Sequence, residues 1–215
     1  MDWRERETQE KSLSQVYWKA RKVASSRTNF FAAVFTAILF FAVIYADHRL
    51  ALGLLLPGGI STIAREIGVL GFALTTAILG FLIAGFSIFA SITRPEIFVA
   101  LAQLDHKNSD LSRLKFIFFN FLFVFIHFLA FLAFSLCIQL LLPAIKNLIL
   151  LPTVQAALSP TFIWWAGAVA VSITVGWFAF LIMLLKSFIW NIYQAVLLVI
   201  VTADLIAPTE KRNEP

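Results

Sequence analysis

The sequence predicts an all-α polytopic membrane protein with four transmembrane helices, and three observations predict it. Of its 215 residues, 60% are hydrophobic and only 13% are charged, about half the charged share of an ordinary soluble domain. The charges collect between long apolar runs, each of a length suited to crossing the ~30 Å hydrocarbon core of a bilayer as a helix. Lysine and arginine are also divided unequally between alternate flanks of those runs. A mean hydropathy of +0.89 leaves more apolar surface than a water-soluble fold can hide, and lipid is the solvent that accommodates it.

Residues 1–29 read as a cytoplasmic amphipathic arm. Leu13, Val16, Tyr17, Ala20, Val23 and Ala24 fall on one face of a helix, and Lys19, Arg21 and Lys22 fall elsewhere. Trp3 and Trp18 suit a headgroup boundary, so an in-plane membrane anchor is the favoured reading over a docking arm for a partner. Residues 30–186 form the expected four-span bundle. Its first span, residues 30–46, follows a long basic lead, and Ile44-Tyr45-Ala46 before Asp47 lacks a small-x-small cleavage pattern. It is therefore expected to be retained. The second span covers residues 67–93, the third covers 116–142 and stops at Pro143, and the fourth starts near Phe162 and reaches Lys186.

Orientation follows from the basic flanks. Seven basic residues lie in the arm, four in the loop 94–115, and three (Lys186, Lys211 and Arg212) after the fourth span; only Arg49, Arg65 and Lys146 lie on the other side. Both termini and the middle loop are therefore expected in the cytoplasm, in a cell inner membrane. The outer loops, 50–63 and 144–158, are apolar but broken, and are expected in the outer interface or capping the bundle.

Beyond Lys186 the apolar pattern continues without glycine or proline until Pro208. One helix over 162–205 is about 65 Å long, which exceeds the bilayer core. Residues 187–207 are thus expected as a cytoplasmic extension of the fourth span, ahead of a flexible tail, 208–215. So apolar a projection needs a cover, and Trp190, Asn191, Gln194 and Asp204 mark its candidate partner-binding stem. Pro95 suits the first position of a short helix carrying Ile97, Phe98, Ala100, Leu101 and Leu104. Residues 105–110 form the following turn, with Ser109 or Asp110 as the cap of the next helix.

Two patterns stand out inside the spans. Ala73, Ala77, Gly80, Ala84, Ser87 and Ser91 are spaced 4, 3, 4, 3, 4, a seam of small residues that lets helices approach closely, within one chain or between two copies. In the third span nine phenylalanines lie between Phe116 and Phe134. Asn120, His127, Ser135 and Gln139 share an arc of about 120° among them. Interhelical hydrogen bonding is the first reading of that arc; a narrow polar pathway with a titratable His127 is the second.

Catalysis finds no support. GxSxG, HExxH, a P-loop and a glycine-rich dinucleotide turn are all absent from the sequence. The spans hold no aspartate or glutamate, which disfavours a proton-coupled transporter. No cofactor or metal is expected: Cys137 is the single cysteine, and His48 and His106 fall on opposite membrane faces. The net charge of +5 sits beside the apolar runs, where it meets lipid headgroups rather than nucleic acid.

The segment Leu79-Gly80-Phe81-Leu82-Ile83-Ala84-Gly85-Phe86-Ser87-Ile88-Phe89-Ala90-Ser91, followed by Arg94-Pro95-Glu96-Ile97-Phe98 and a basic start to a phenylalanine-rich helix, resembles small bacterial four-helix membrane proteins. Among these are membrane components of anti-phage defence systems, Kiwa being one such system. The resemblance covers the central third of the chain. It implies a homo-oligomer whose cytoplasmic ends hold a soluble effector encoded nearby. The expected function is a non-enzymatic oligomeric membrane scaffold or sensor. A small homo-oligomeric channel is the alternative, and a lipid-modifying enzyme a distant third.

Overall fold

The computed structural model describes residues 5, 7–24, 27–53, 59–106, 111–153 and 158–211, with the backbone alone at 23, 24, 92, 202 and 204–211. Its helices are α1 (Leu13–Ala24), α2 (Arg27–Leu50), α3 (Gly59–Ile92), α4 (Pro95–Gln103), α5 (Arg113–Ile149) and α6 (Pro160–Lys211). The four long ones, α2, α3, α5 and α6, are each long and apolar enough to cross a membrane. The described residues contain no strand, only one isolated bridge between Asp105 and Ser112. The chain is an all-α four-helix membrane protein.

The helices outrun the expected spans, for identifiable reasons. α3 starts at Gly59 rather than Ile67, because Ile60 and Ile63 belong to its buried face and pack with Ala168 and Val171. The broken loop expected over 50–63 is thus helical from residue 59, while residues 54–58, Pro57 included, lie outside the described residues. α2 ends at Leu50, followed by Ala51 and Gly53 in the left-handed region, a common way to stop a helix. Pro143 does not end the third spanning helix; it sits inside α5, which continues to Ile149. A proline interrupts a water-exposed helix, but in lipid, ending the helix there leaves still more backbone groups without partners.

The chain folds as two compact units. One contains Arg27–Gly80 and His127–Met183, and the other contains Met1–Ser26, Phe81–Ile126 and Leu184–Pro215. This partition cuts across the single bundle expected over residues 30–186.

The unit holding α2 is built from four helical stretches of about 22 to 24 residues, or ~33–36 Å each at 1.5 Å per residue, close to the thickness of a bilayer core. Small residues set its closest approaches. A β-carbon on Gly71 would lie 2.8 Å from Phe131 and 2.9 Å from Ser135 Oγ; on Gly176 it would lie 2.8 Å from Ala37 and 2.9 Å from the Ala33 carbonyl. Gly167 likewise faces Ile60. Ile44, Ile63, Ala168 and Val171 form a buried cluster that Phe40, Phe41 and Trp164 cover. Phe131, fully buried, packs against Trp177 and Phe178. Outward, α2 exposes Phe30, Phe31, Phe35 and Ile38, as a lipid-facing helix does.

The second unit gathers α1, α4, the last turns of α3, the first turns of α5 and the end of α6. α4 starts with Pro95 at its first position and buries Ile97, Leu101 and Ala102. The turn after it closes by an antiparallel bridge, in which His106 N–H donates to the Leu111 carbonyl at 3.0 Å and Arg113 N–H to the Leu104 carbonyl at 2.9 Å. Ser109 and Asp110, the caps expected from sequence, lie outside the described residues. α5 instead starts one turn later, and its cap is Ser112, whose Oγ accepts from Lys115 N–H at 3.1 Å. Phe86 stacks on Phe121 at 4.4 Å, and Phe98 packs near both Phe89 and Phe118. Leu82, Phe119, Phe123, Val124, Leu184, Phe188 and Ala195 are also buried in this unit.

Candidate functional site

The arm is fastened to its own chain. Lys115, in the first turn of α5, places its ammonium 2.6 Å from Glu10 Oε2, and Lys19 places its own 2.7 Å from Oε1. Both members of the Glu10–Lys115 pair are about 5% exposed. Burial is the largest influence on the Glu10 carboxyl and pushes its pKa up. The hydrogen bonds and charges of Lys115 and Lys19 together outweigh it and hold the group below its ordinary value. Tyr17 stacks on Phe123 at 5.7 Å, and Ala20 is fully buried. α1 therefore uses its apolar face for docking within the unit, where the in-plane reading assigned it to lipid. Leu13 and Trp18 remain exposed.

Two neighbouring cavities open in the same unit. One, of about 430 Å³, is bordered by His106, Arg113, Asn191 and Gln194 together with apolar residues of α5 and α6. The other, of about 420 Å³, is a mostly apolar groove among Phe81, Gly85, Phe89, Phe121, Phe188, Ile192 and Val196, with Asn120 as a polar member. Phe116, Ile117, Asn191 and Ala195 border both. His106 lies flat on Phe116 at 4.0 Å, and its pKa is lowered by burial and by the nearby charge of Arg113.

The residues singled out from sequence separate into groups. Ala73, Ala77, Gly80, Ala84, Ser87 and Ser91 are all exposed; a β-carbon on Gly80 or Gly85 would meet nothing within 4 Å. Ser87 and Ser91 turn their hydroxyls back to the carbonyls of Ile83 and Ser87. Among the described residues the seam is left exposed, and the close approaches fall to Gly68, Gly71, Gly167 and Gly176. Periodicity does not separate the two sets, because Gly71 and Gly80 occupy different faces of one small-residue-rich helix.

The polar arc is divided as well. Gln139 donates its amide to the Gly68 carbonyl at 3.2 Å, and Ser135 is buried against Gly71 with no hydrogen-bond partner for Oγ among the described residues. His127 meets the ring of Phe180 edge-on at 5.5 Å. Asn120 is buried in the other unit, beside the apolar groove. Of the stem residues, Trp190 and Gln194 are exposed, Asn191 is half-buried, and Asp204 is helical backbone with its side chain outside the described set. Trp190 and Tyr193 lie 5.7 Å apart and are 60% and 53% exposed. Among the described residues no group of three or more histidine, cysteine or acidic side chains is placed to hold a metal ion.

The fold and these surfaces define a class, that of multi-pass α-helical membrane proteins. Compared with protein-family models, curated proteins and solved structures, the chain shows no match.

Proposed function

We propose that this protein is a non-enzymatic, oligomeric membrane scaffold whose cytoplasmic end holds a soluble protein partner. The observation that carries the proposal is the exposed Trp190–Tyr193 pair on a helix that continues 25 residues past Lys186, to Lys211. Exposed tryptophan and tyrosine on a rigid helix are typical anchors of an interface, and Asn191 and Gln194 supply polar groups beside them. Fourteen basic residues flanking the spans on one side support a cytoplasmic location for this end and for both termini. The outward seam of α3 supports self-association, since small exposed residues admit a second helix at close range. The resemblance to defence-system membrane subunits adds the expectation that the partner is encoded nearby. The channel alternative has less support: Gln139 and Ser135 are engaged in packing against α3, and the arc carries no charged ring.

The test is recovery of soluble proteins with the tagged membrane protein. Trp190→Ala with Tyr193→Ala is expected to abolish recovery of a specific partner while membrane insertion is unchanged. Identical recovery by native and substituted protein would remove the basis of this reading. A truncation after Ser187 is a poorer test, because Phe188 and Ala195 belong to the buried core of their unit.

A further inference from the structure

We propose that the two adjoining cavities form one binding site for an anionic phospholipid, with the phosphate at Arg113 and an acyl chain in the apolar groove. The argument starts from the unequal chemistry of the two ends. The first cavity is bordered by a guanidinium, an imidazole and two amides, with no carboxylate among its described lining residues. Arg113 is the first residue of α5, so the positive end of the helix dipole reinforces its charge. Anions fit such an end, and a guanidinium binds phosphate by paired, charge-assisted hydrogen bonds.

The second cavity has the opposite character. Its described lining is aliphatic and aromatic but for Asn120, Asn191 and Thr93. Each cavity is within the ~300–1,000 Å³ range that holds small molecules. Along α5 the shared wall passes from Arg113, through Phe116 and Ile117, to Asn120 and Phe121. The polar end thus lies at the start of the helix, and the groove follows its phenylalanine-rich stretch. A free phosphate has no use for the groove, and an apolar helix has none for the cationic end. An amphiphile carrying both an anion and a hydrocarbon chain fits both, and the surrounding membrane supplies it.

Gly85 provides the test, because a side chain there enters the groove without meeting any protein atom within 4 Å of its β-carbon. Full-length protein in mild detergent is titrated with phosphatidylglycerol, with phosphatidylcholine and with inorganic phosphate, and bound molecules are counted by native mass spectrometry. Phosphatidylglycerol is expected to bind about tenfold more tightly than phosphatidylcholine, the worth of one modest charge-assisted contact, and inorganic phosphate alone to leave no adduct. Arg113→Gln is expected to erase the preference, Arg113→Lys to restore much of it, and Gly85→Leu to remove both lipid adducts. Inorganic phosphate binding as tightly as the lipid, an unchanged lipid count in Gly85→Leu, or an unchanged preference in Arg113→Gln would each overturn the proposal.

Discussion

Glu10 and Lys115 form an ion pair 2.6 Å long with both side chains about 5% exposed, across 105 positions of sequence. Removing Glu10 takes a close carboxylate from the buried Lys115 ammonium and from Lys19, and breaking a buried ion pair from one side is destabilising. Glu10→Ala is therefore expected to release α1. The measurement is limited proteolysis or hydrogen exchange over residues 13–24, which should change from protected to rapidly exchanging. The double substitution Glu10→Leu with Lys115→Met, which removes both charges and keeps apolar bulk, is expected to recover much of the protection. Equal protection in native protein and Glu10→Ala would show that Tyr17 and Ala20 hold the arm unaided.

The same pair sets a direction with pH. The folded Glu10 carboxyl is held below its ordinary value of 4.5. A depressed carboxylate contributes stability that is fully present above 4.5 and is lost as the pH falls through the lower folded value. Protection of the arm is expected to be constant from pH 7 to 5 and to decline only in stronger acid. In Glu10→Gln this acid step should be absent.

Substituting glycines is expected to distinguish packing within the chain from packing between chains. Gly71→Leu drives a side chain into Phe131 and Ser135, and Gly176→Leu drives one into the α2 backbone. Overpacking of this kind costs about 1–3 kcal/mol or more, so both should lower the melting temperature of the purified protein. Gly80→Leu meets no atom of its own chain within 4 Å of the new β-carbon. It is expected to leave melting unchanged and to reduce crosslinked multimer in mild detergent. Multimer yield equal to native would place self-association on another face.

Orientation is checked by reporter fusions after Ser26, Pro57, Asn108, Val154 and Pro215. Cytoplasmic signal is expected from the first, third and fifth, and external signal from the second and fourth. External signal from the Asn108 fusion would reverse the assignment of faces.

Conduction is expected to be absent. His127 packs edge-on against Phe180 and Gln139 donates to the Gly68 carbonyl, so these side chains serve the bundle. Protein in liposomes should pass no ions above background, and His127→Leu should change nothing. A pH-dependent current sensitive to that substitution would favour the channel.

The sequence by itself determined the class of this protein. Hydropathy and the sparse, clustered charges settle that four helices are long and apolar enough for a bilayer, because backbone groups in lipid must pair within the helix. The same pattern predicts a helix continuing past Lys186, and the helix does continue, but it runs through Pro208 to Lys211, where the sequence predicts a flexible tail from residue 208. Pro143 misled the reading, because a proline ends helices in water more reliably than in lipid. What only the tertiary structure decided is which of several equivalent faces meets which neighbour. Gly71 and Gly80 are alike in sequence, yet one touches Phe131 and the other nothing. The Glu10–Lys115 pair and the junction of a cationic cavity with an apolar groove arise from residues far apart in the chain. Local periodicity records how apolar a helix face is, and the energy that selects its partner lies in shape and charge contributed by another segment.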